Sequence, residues 1–121
     1  ARFYRHSGVD YLGVARAALA QGHTVKPFFY GDGVGVANRL LSPAQDELNL
    51  GELWATLAEH YRLELPVCIA AALRRGITDD ANAKRHHLDA DNLHPRFTLA
   101  GLGALAESLI TTDRTLNFGA G

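Results

Sequence analysis

The sequence predicts an α/β fold, a three-layer sandwich whose mostly parallel sheet carries helices on both faces. Two observations predict it. Helical and extended patterns alternate along the chain, and residues 63–76 read as a buried strand running straight into a short helix. Crossovers between parallel strands are expected to be right-handed.

At the start, Phe3 and Tyr4 suit a strand, but Arg2 and Arg5 flank them and make it a poor buried one. Either that strand is short or residues are missing near the N-terminus. Ser7 or Asp10 caps a first helix, in which Tyr11, Leu12, Ala15, Ala18 and Leu19 recur at helical spacing. Gly22 stops it as a left-handed cap. Residues 24–30 form the next strand, apolar at Val25 and Phe28-Phe29-Tyr30, with Pro27 implying that it lies near an edge or starts late. The turn Gly31-Asp32-Gly33-Val34-Gly35 follows at once, then a short helical piece over 36–41 closed by Ser42-Pro43.

Asn49 caps a helix over 50–61, whose Leu50, Leu53, Trp54, Leu57 and Tyr61 make one stripe. Trp54 belongs to the core rather than to a ligand platform. Leu63, Leu65 and Val67 then alternate as a strand, followed by the alanine-rich run from Ile69 to Leu73, with Gly76 where the helix ends. Residues 78–97 are rich in charge and poor in apolar side chains, which predicts an exposed, mobile loop, long enough to suspect function. Residues 98–103 lead into a helix with Leu102, Leu105, Ala106, Leu109 and Ile110 on its apolar side. Residues 115–118 read as a last short strand.

A chain of 121 residues suits one domain spanning 1–121, with a core that needs no staples. Apolar residues at 47% and charged residues at 21% describe an ordinary globular protein. A single cysteine excludes an internal disulfide and fits a reducing compartment. No run of about 18 apolar residues and no basic-then-apolar leader is present, which predicts a cytoplasmic protein without membrane contact. Twelve basic and thirteen acidic residues give a net charge of −1, which argues against a non-specific grip on a nucleic-acid backbone.

Chemistry centres on Cys68. It falls where the strand hands over to the helix, at the carboxyl end of a strand, where open α/β sheets place reactive groups. Unpaired N–H groups at a helix start carry partial positive charge and favour a thiolate. Arg75 lies seven residues on, roughly 10 Å along the helix axis, too far for a direct bond but able to bias the field. The bland alternative is a packed, inert cysteine, since free cysteine is among the most buried residue types.

The glycine-rich turn at 31–35 meets neither the phosphate-loop nor the dinucleotide pattern, so a simple strand-to-helix turn is the favoured interpretation. His86, His87 and His94 with Asp89 and Asp91 match no zinc spacing, so no metal and no cofactor is placed there.

Four stretches are familiar together. They are Phe28-Phe29-Tyr30-x-Asp32-Gly33-Val34 with Asn38 after it, Ser42-Pro43-x-x-Asp46-Glu47, Val67-Cys68-Ile69-Ala70-Ala71-Ala72-Leu73-Arg74-Arg75-Gly76, and Phe97-Thr98-Leu99-x-Gly101-Leu102-Gly103-Ala104-Leu105-Ala106-Glu107 with Asp113-Arg114 following. In this the chain resembles the DsrE/TusD family of bacterial sulfur-relay subunits. The resemblance covers most of 23–118 and lies nearer the DsrE and TusD types than their paralogues, some of which lack the cysteine. It implies a sulfurtransferase of the DsrE-like fold that receives a sulfane sulfur as a persulfide on Cys68 and relays it. The implied donor is a TusA-like carrier and the acceptor a TusE/DsrC-like protein. The implied assembly is a heterohexamer with DsrF/TusC-like and DsrH/TusB-like subunits, serving tRNA 2-thiouridine synthesis or intracellular sulfur oxidation, without direct nucleic-acid contact. Family members open with a longer apolar strand and a longer loop, which is where this chain departs.

A single cysteine is sufficient for such a relay, because the product is a persulfide and no resolving thiol is required. The turn at 31–35 follows another strand's carboxyl end and could line the same crevice. Asp32, Gly33, Asn38 and Arg75 are the candidate lining residues, and the 78–97 loop is a candidate docking or gating element. Two alternatives stand beside this. One is a non-catalytic assembly or small-ligand-binding subunit with a structural cysteine. The other is a peroxide-sensing thiol protein.

Overall fold

The computed structural model describes residues 8–111. The order is helix α1 (Gly8–Ala20), a 3-10 helix (Gly31–Ala37), α2 (Leu50–Tyr61), β1 (Leu65–Cys68), α3 (Ile69–Arg74), α4 (Asp80–Arg85), β2 (Phe97–Ala100) and α5 (Leu102–Thr111). The architecture is α/β with a small parallel sheet. Strands β1 and β2 run parallel, in register Leu65 to Phe97 and Cys68 to Ala100. On the other side of β1, Phe29 makes a parallel bridge to Val67.

The expected strand over 24–30 thus contracts to one residue, and two prolines account for it. Phe29 N–H donates to Pro66 O at 3.0 Å, and Cys68 N–H donates to Phe29 O at 2.7 Å. One step down the same parallel ladder, residue 27 would donate to Glu64 and accept from residue 66. Both donors are proline, Pro27 and Pro66, and neither has an N–H.

Helix α2 matches the expected range, with Asn49 Oδ1 accepting the Glu52 N–H at 3.2 Å and Arg62 closing it at φ 56°. Gly22 and Gly76 adopt the left-handed conformation expected at helix ends. Helix α1 buries Leu12, Ala15 and Leu19 and packs on α2. The core joins these to Val34, Ala37, Trp54, Leu57, Leu65, Val67 and Phe97. The Phe29 ring stands edge-on to Trp54 at 5.2 Å and to Phe97 at 5.4 Å.

Four expectations are corrected. The glycine-rich turn is itself helical, from Gly31 to Ala37, because buried Val34 and Ala37 anchor it, and the chain leaves helical geometry at Asn38 rather than Leu41. Residues 78–97 are not a bare loop. Asp79 caps α4 by accepting the Asn82 N–H at 2.9 Å, and Thr78, Asn82 and Ala83 are buried. The lead-in to the last helix is strand β2. The apolar side of α5 is also not buried here, with Leu102, Leu109 and Ile110 exposed. The expected strands at the two ends of the chain lie outside the described residues.

Candidate active site

Cys68 is the last residue of β1 and the capping position of α3. Its backbone is held by Phe29 on one side and lies in register with Ala100 on the other. Three parallel segments therefore lie in register at Phe29, Val67 and Leu99, and just beyond that level each turns into a helix or the approach to one. This is the carboxyl edge at which open α/β sheets bind and react.

The thiol departs from the expected helix-end thiolate in two ways. The residue is 7% exposed and belongs to the apolar core cluster, so the structure holds it buried rather than open. Its side chain makes no hydrogen bond to the helix amides, and α3 has only six residues, so the favourable helix-end field is short. Burial follows from the neighbours: β1 is the central segment, and Val67, Ala71 and Ala72 around the cysteine are all buried.

The candidate lining residues divide. Asp32 and Arg75, 43 positions apart, are brought into contact. Arg75 Nε and Nη2 donate to Asp32 Oδ1 at 3.2 and 3.0 Å, while Nη1 donates to Ala71 O at 3.1 Å. Arg75 thus folds back along α3 instead of pointing away, and its guanidinium lies at the level of Ala71, about one turn from Cys68. Gly33 is exposed beside Asp32, and its N–H donates to Tyr30 O. Asn38 is spent on local structure. Its Oδ1 accepts the Leu40 N–H at 3.0 Å, and its backbone bridges to Leu93.

One relevant residue was missed. Asn92 Oδ1 accepts the Thr78 N–H at 2.9 Å, and its Nδ2 donates to Gly76 O at 3.0 Å, while its carbonyl accepts the Arg39 N–H. It ties the end of α3 to the segment after the 3-10 helix. An asparagine in a charged run gives no sequence signal for this. Two surface grooves among the described residues do not include Cys68. One, of about 620 Å³, is lined by Ala55, Thr56, Glu59, His94, Pro95 and Arg96 among others. There His94 Nε2 bonds Glu52 Oε1 at 2.9 Å. Among the described residues, no three His, Cys, Asp or Glu side chains converge as a metal site, and no helix is long and apolar enough to cross a membrane.

A model of the DsrE/DsrF-like family matches residues 3–118. The chain belongs to that family. Within it, the chain is 47% identical to the DsrE protein of Allochromatium vinosum over 118 residues, covering 96% of this chain and 91% of that one. It is 48% identical to the sulfurtransferase TusD of Proteus mirabilis over 105 residues, covering 86% and 81%. It is 51% identical to the sulfurtransferase TusD of Yersinia pestis over 105 residues, covering 86% and 80%. The expected membership of the DsrE/TusD group is thereby established. As a DsrE/DsrF-like chain, it carries its lone cysteine on the central strand of the described sheet.

Proposed function

We propose that this chain is a sulfurtransferase that accepts a sulfane sulfur on Cys68 and passes it to a partner protein. Support comes from the family, whose relatives are named sulfurtransferases, and from one structural observation. The chain's only cysteine ends the central strand at the carboxyl edge of the parallel sheet.

The reaction balances without an external oxidant. The Cys68 thiolate attacks the outer sulfur of a donor persulfide. The donor's S–S bond breaks, and its own sulfur leaves as a thiolate. Cys68 then carries the persulfide. An acceptor thiolate attacks that outer sulfur in turn, and Cys68 departs as thiolate. The proposal includes a TusA-like donor and a TusE/DsrC-like acceptor, and assembly with DsrF/TusC-like and DsrH/TusB-like subunits as a heterohexamer. It also includes a cytoplasmic setting, a single DsrE-like domain in three layers, and an output in tRNA 2-thiouridine synthesis or sulfur oxidation. The exposed Leu102, Leu109 and Ile110 on α5 favour assembly, since an isolated helix leaves such a face in water at a cost.

The test is intact-mass measurement after incubation with a persulfide donor. A one-sulfur adduct on the wild type that is lost in Cys68→Ser is the expected result. No adduct, or an equal adduct on the variant, refutes the proposal. The burial of Cys68 favours one competing account, a non-catalytic subunit with a structural cysteine. That account predicts Cys68→Ser retains full function in cells.

A further inference from the structure

We propose that the cleft between the ends of α3 and α4 docks a partner protein through a segment that carries an apolar side chain flanked by carboxylates.

The cleft has a volume of about 430 Å³ and is lined by Leu73, Arg74, Gly76, Thr78, His86 and Leu88. Both helices end here in the same way. After α3, Gly76 takes a left-handed conformation, its N–H donates to Leu73 O, and the Ile77 N–H reaches back to Ala72 O. After α4, His87 takes φ 59°, its N–H donates to Lys84 O, and the Leu88 N–H reaches back to Ala83 O. Such a cap fixes the residue after the left-handed one and ordinarily packs it back on its own helix. Ile77 follows that rule and is buried. Leu63, in the matching place after α2, packs against the core. Leu88 departs from it: the residue is 53% exposed, although Ala83 is buried. Its backbone is held by the cap while over half of its surface stays in water, at the wall of the cleft.

The charge of the lining selects what fits. Arg74 and His86 are its titratable side chains, and no carboxylate lines it. Acidic groups on neighbouring segments are engaged elsewhere: Asp32 with Arg75, Asp80 with Lys84, and Asp79 with Asn82. The larger groove differs. There Glu59 sits against Arg96 and Glu52 against His94, so its cations are matched within the chain. Among the described residues, Arg74 and His86 hold no ion pair. An exposed pair alone adds little, so the apolar wall supplies the grip and the cations the choice of a carboxylate-bearing segment over a basic one. Cys68 caps the opposite end of α3, about 9 Å from Arg74 along the helix axis. The docking surface does not depend on what that cysteine does.

The experiment titrates the intact, isotope-labelled chain with a blocked heptapeptide that has one leucine between two glutamates in a glycine and serine background. Methyl and amide resonances are followed. The expected result is saturable shifts at the Leu73 and Leu88 methyls and the His86 amide, with a millimolar dissociation constant. A peptide with lysines in place of the glutamates produces none of these. Arg74→Glu weakens binding about tenfold. Leu88→Ala weakens it about fivefold. Raising salt weakens binding to the wild type more than to Arg74→Gln. Both side chains are exposed, and unchanged amide spectra away from the cleft check that the variants keep the fold. If Leu88→Ala does not keep it, Arg74→Glu and the lysine peptide decide. No shift at the lining residues, or equal shifts with the lysine peptide, overturns the proposal. Concentration-dependent shifts without peptide assign the cleft to a second copy and overturn it as well. So do contacts from the Leu88 methyls to residues 112–121, which assign it to the chain's own end. The titration involves no sulfur, so failure of the persulfide assay leaves the docking surface standing, and failure here leaves that assay's result untouched.

Discussion

Cys68 and Phe29 share a backbone hydrogen bond, the Cys68 N–H donating to the Phe29 carbonyl at 2.7 Å. The residue that supports the cysteine's main chain also wedges its ring between Trp54 and Phe97. Phe29→Ala therefore strikes packing and site together. Its ring is only half-buried, so the expected cost is about 2–4 kcal/mol in urea unfolding, with faster alkylation of Cys68 in the folded state.

Gly51 starts the first turn of α2 under the carbonyl of Val36, and any Cβ there would run into that oxygen. Backbone cannot step aside as a flexible side chain can. Gly51→Ala is expected to lose about 1–3 kcal/mol despite alanine's better helix propensity. A denaturation midpoint at or above wild type would show that α2 shifts freely.

Asp79 accepts from both the N–H and the side-chain amide of Asn82, at 2.9 and 2.8 Å. Asn82 is buried, so removing the acceptor strands its amide. Asp79→Ala should destabilise by about 1–3 kcal/mol, read as a lowered urea midpoint. An unchanged midpoint would mean α4 contributes little to the folded state.

Ile110 is 84% exposed on α5. Ile110→Asp is expected to leave the unfolding free energy of the isolated chain within about 0.5 kcal/mol of wild type. A large loss would place that side chain in an intramolecular contact.

Much of this was legible in the residues, for identifiable reasons. Helix α2 combines a full apolar stripe with an asparagine cap, so periodicity and capping chemistry agree on its bounds. Gly22 and Gly76 mark helix ends because few other residues adopt φ +85° or +76° comfortably. Strand β2 was not legible. Four residues are too few for alternation to emerge, and Leu99 and Ala100 blend into the helical pattern after them. Helix α4 hid because it buries an asparagine and a small alanine rather than a stripe of large aliphatic side chains. In the site, the position of Cys68 followed from local pattern, but its burial depends on neighbours remote in sequence. The contact of Asp32 with Arg75 is of that long-range kind, and single-sequence periodicity carries no information about it.

Pro27 and Pro66 remove both donors from the ladder step below Phe29. Hydrogen–deuterium exchange should register this as a sharp boundary. The Phe29 and Cys68 amides will exchange slowly, while residues 23–28 can fray toward solvent without rupturing any described bond of the sheet. Opening of residues 23–28 is thereby insulated from the strand that bears the sulfur.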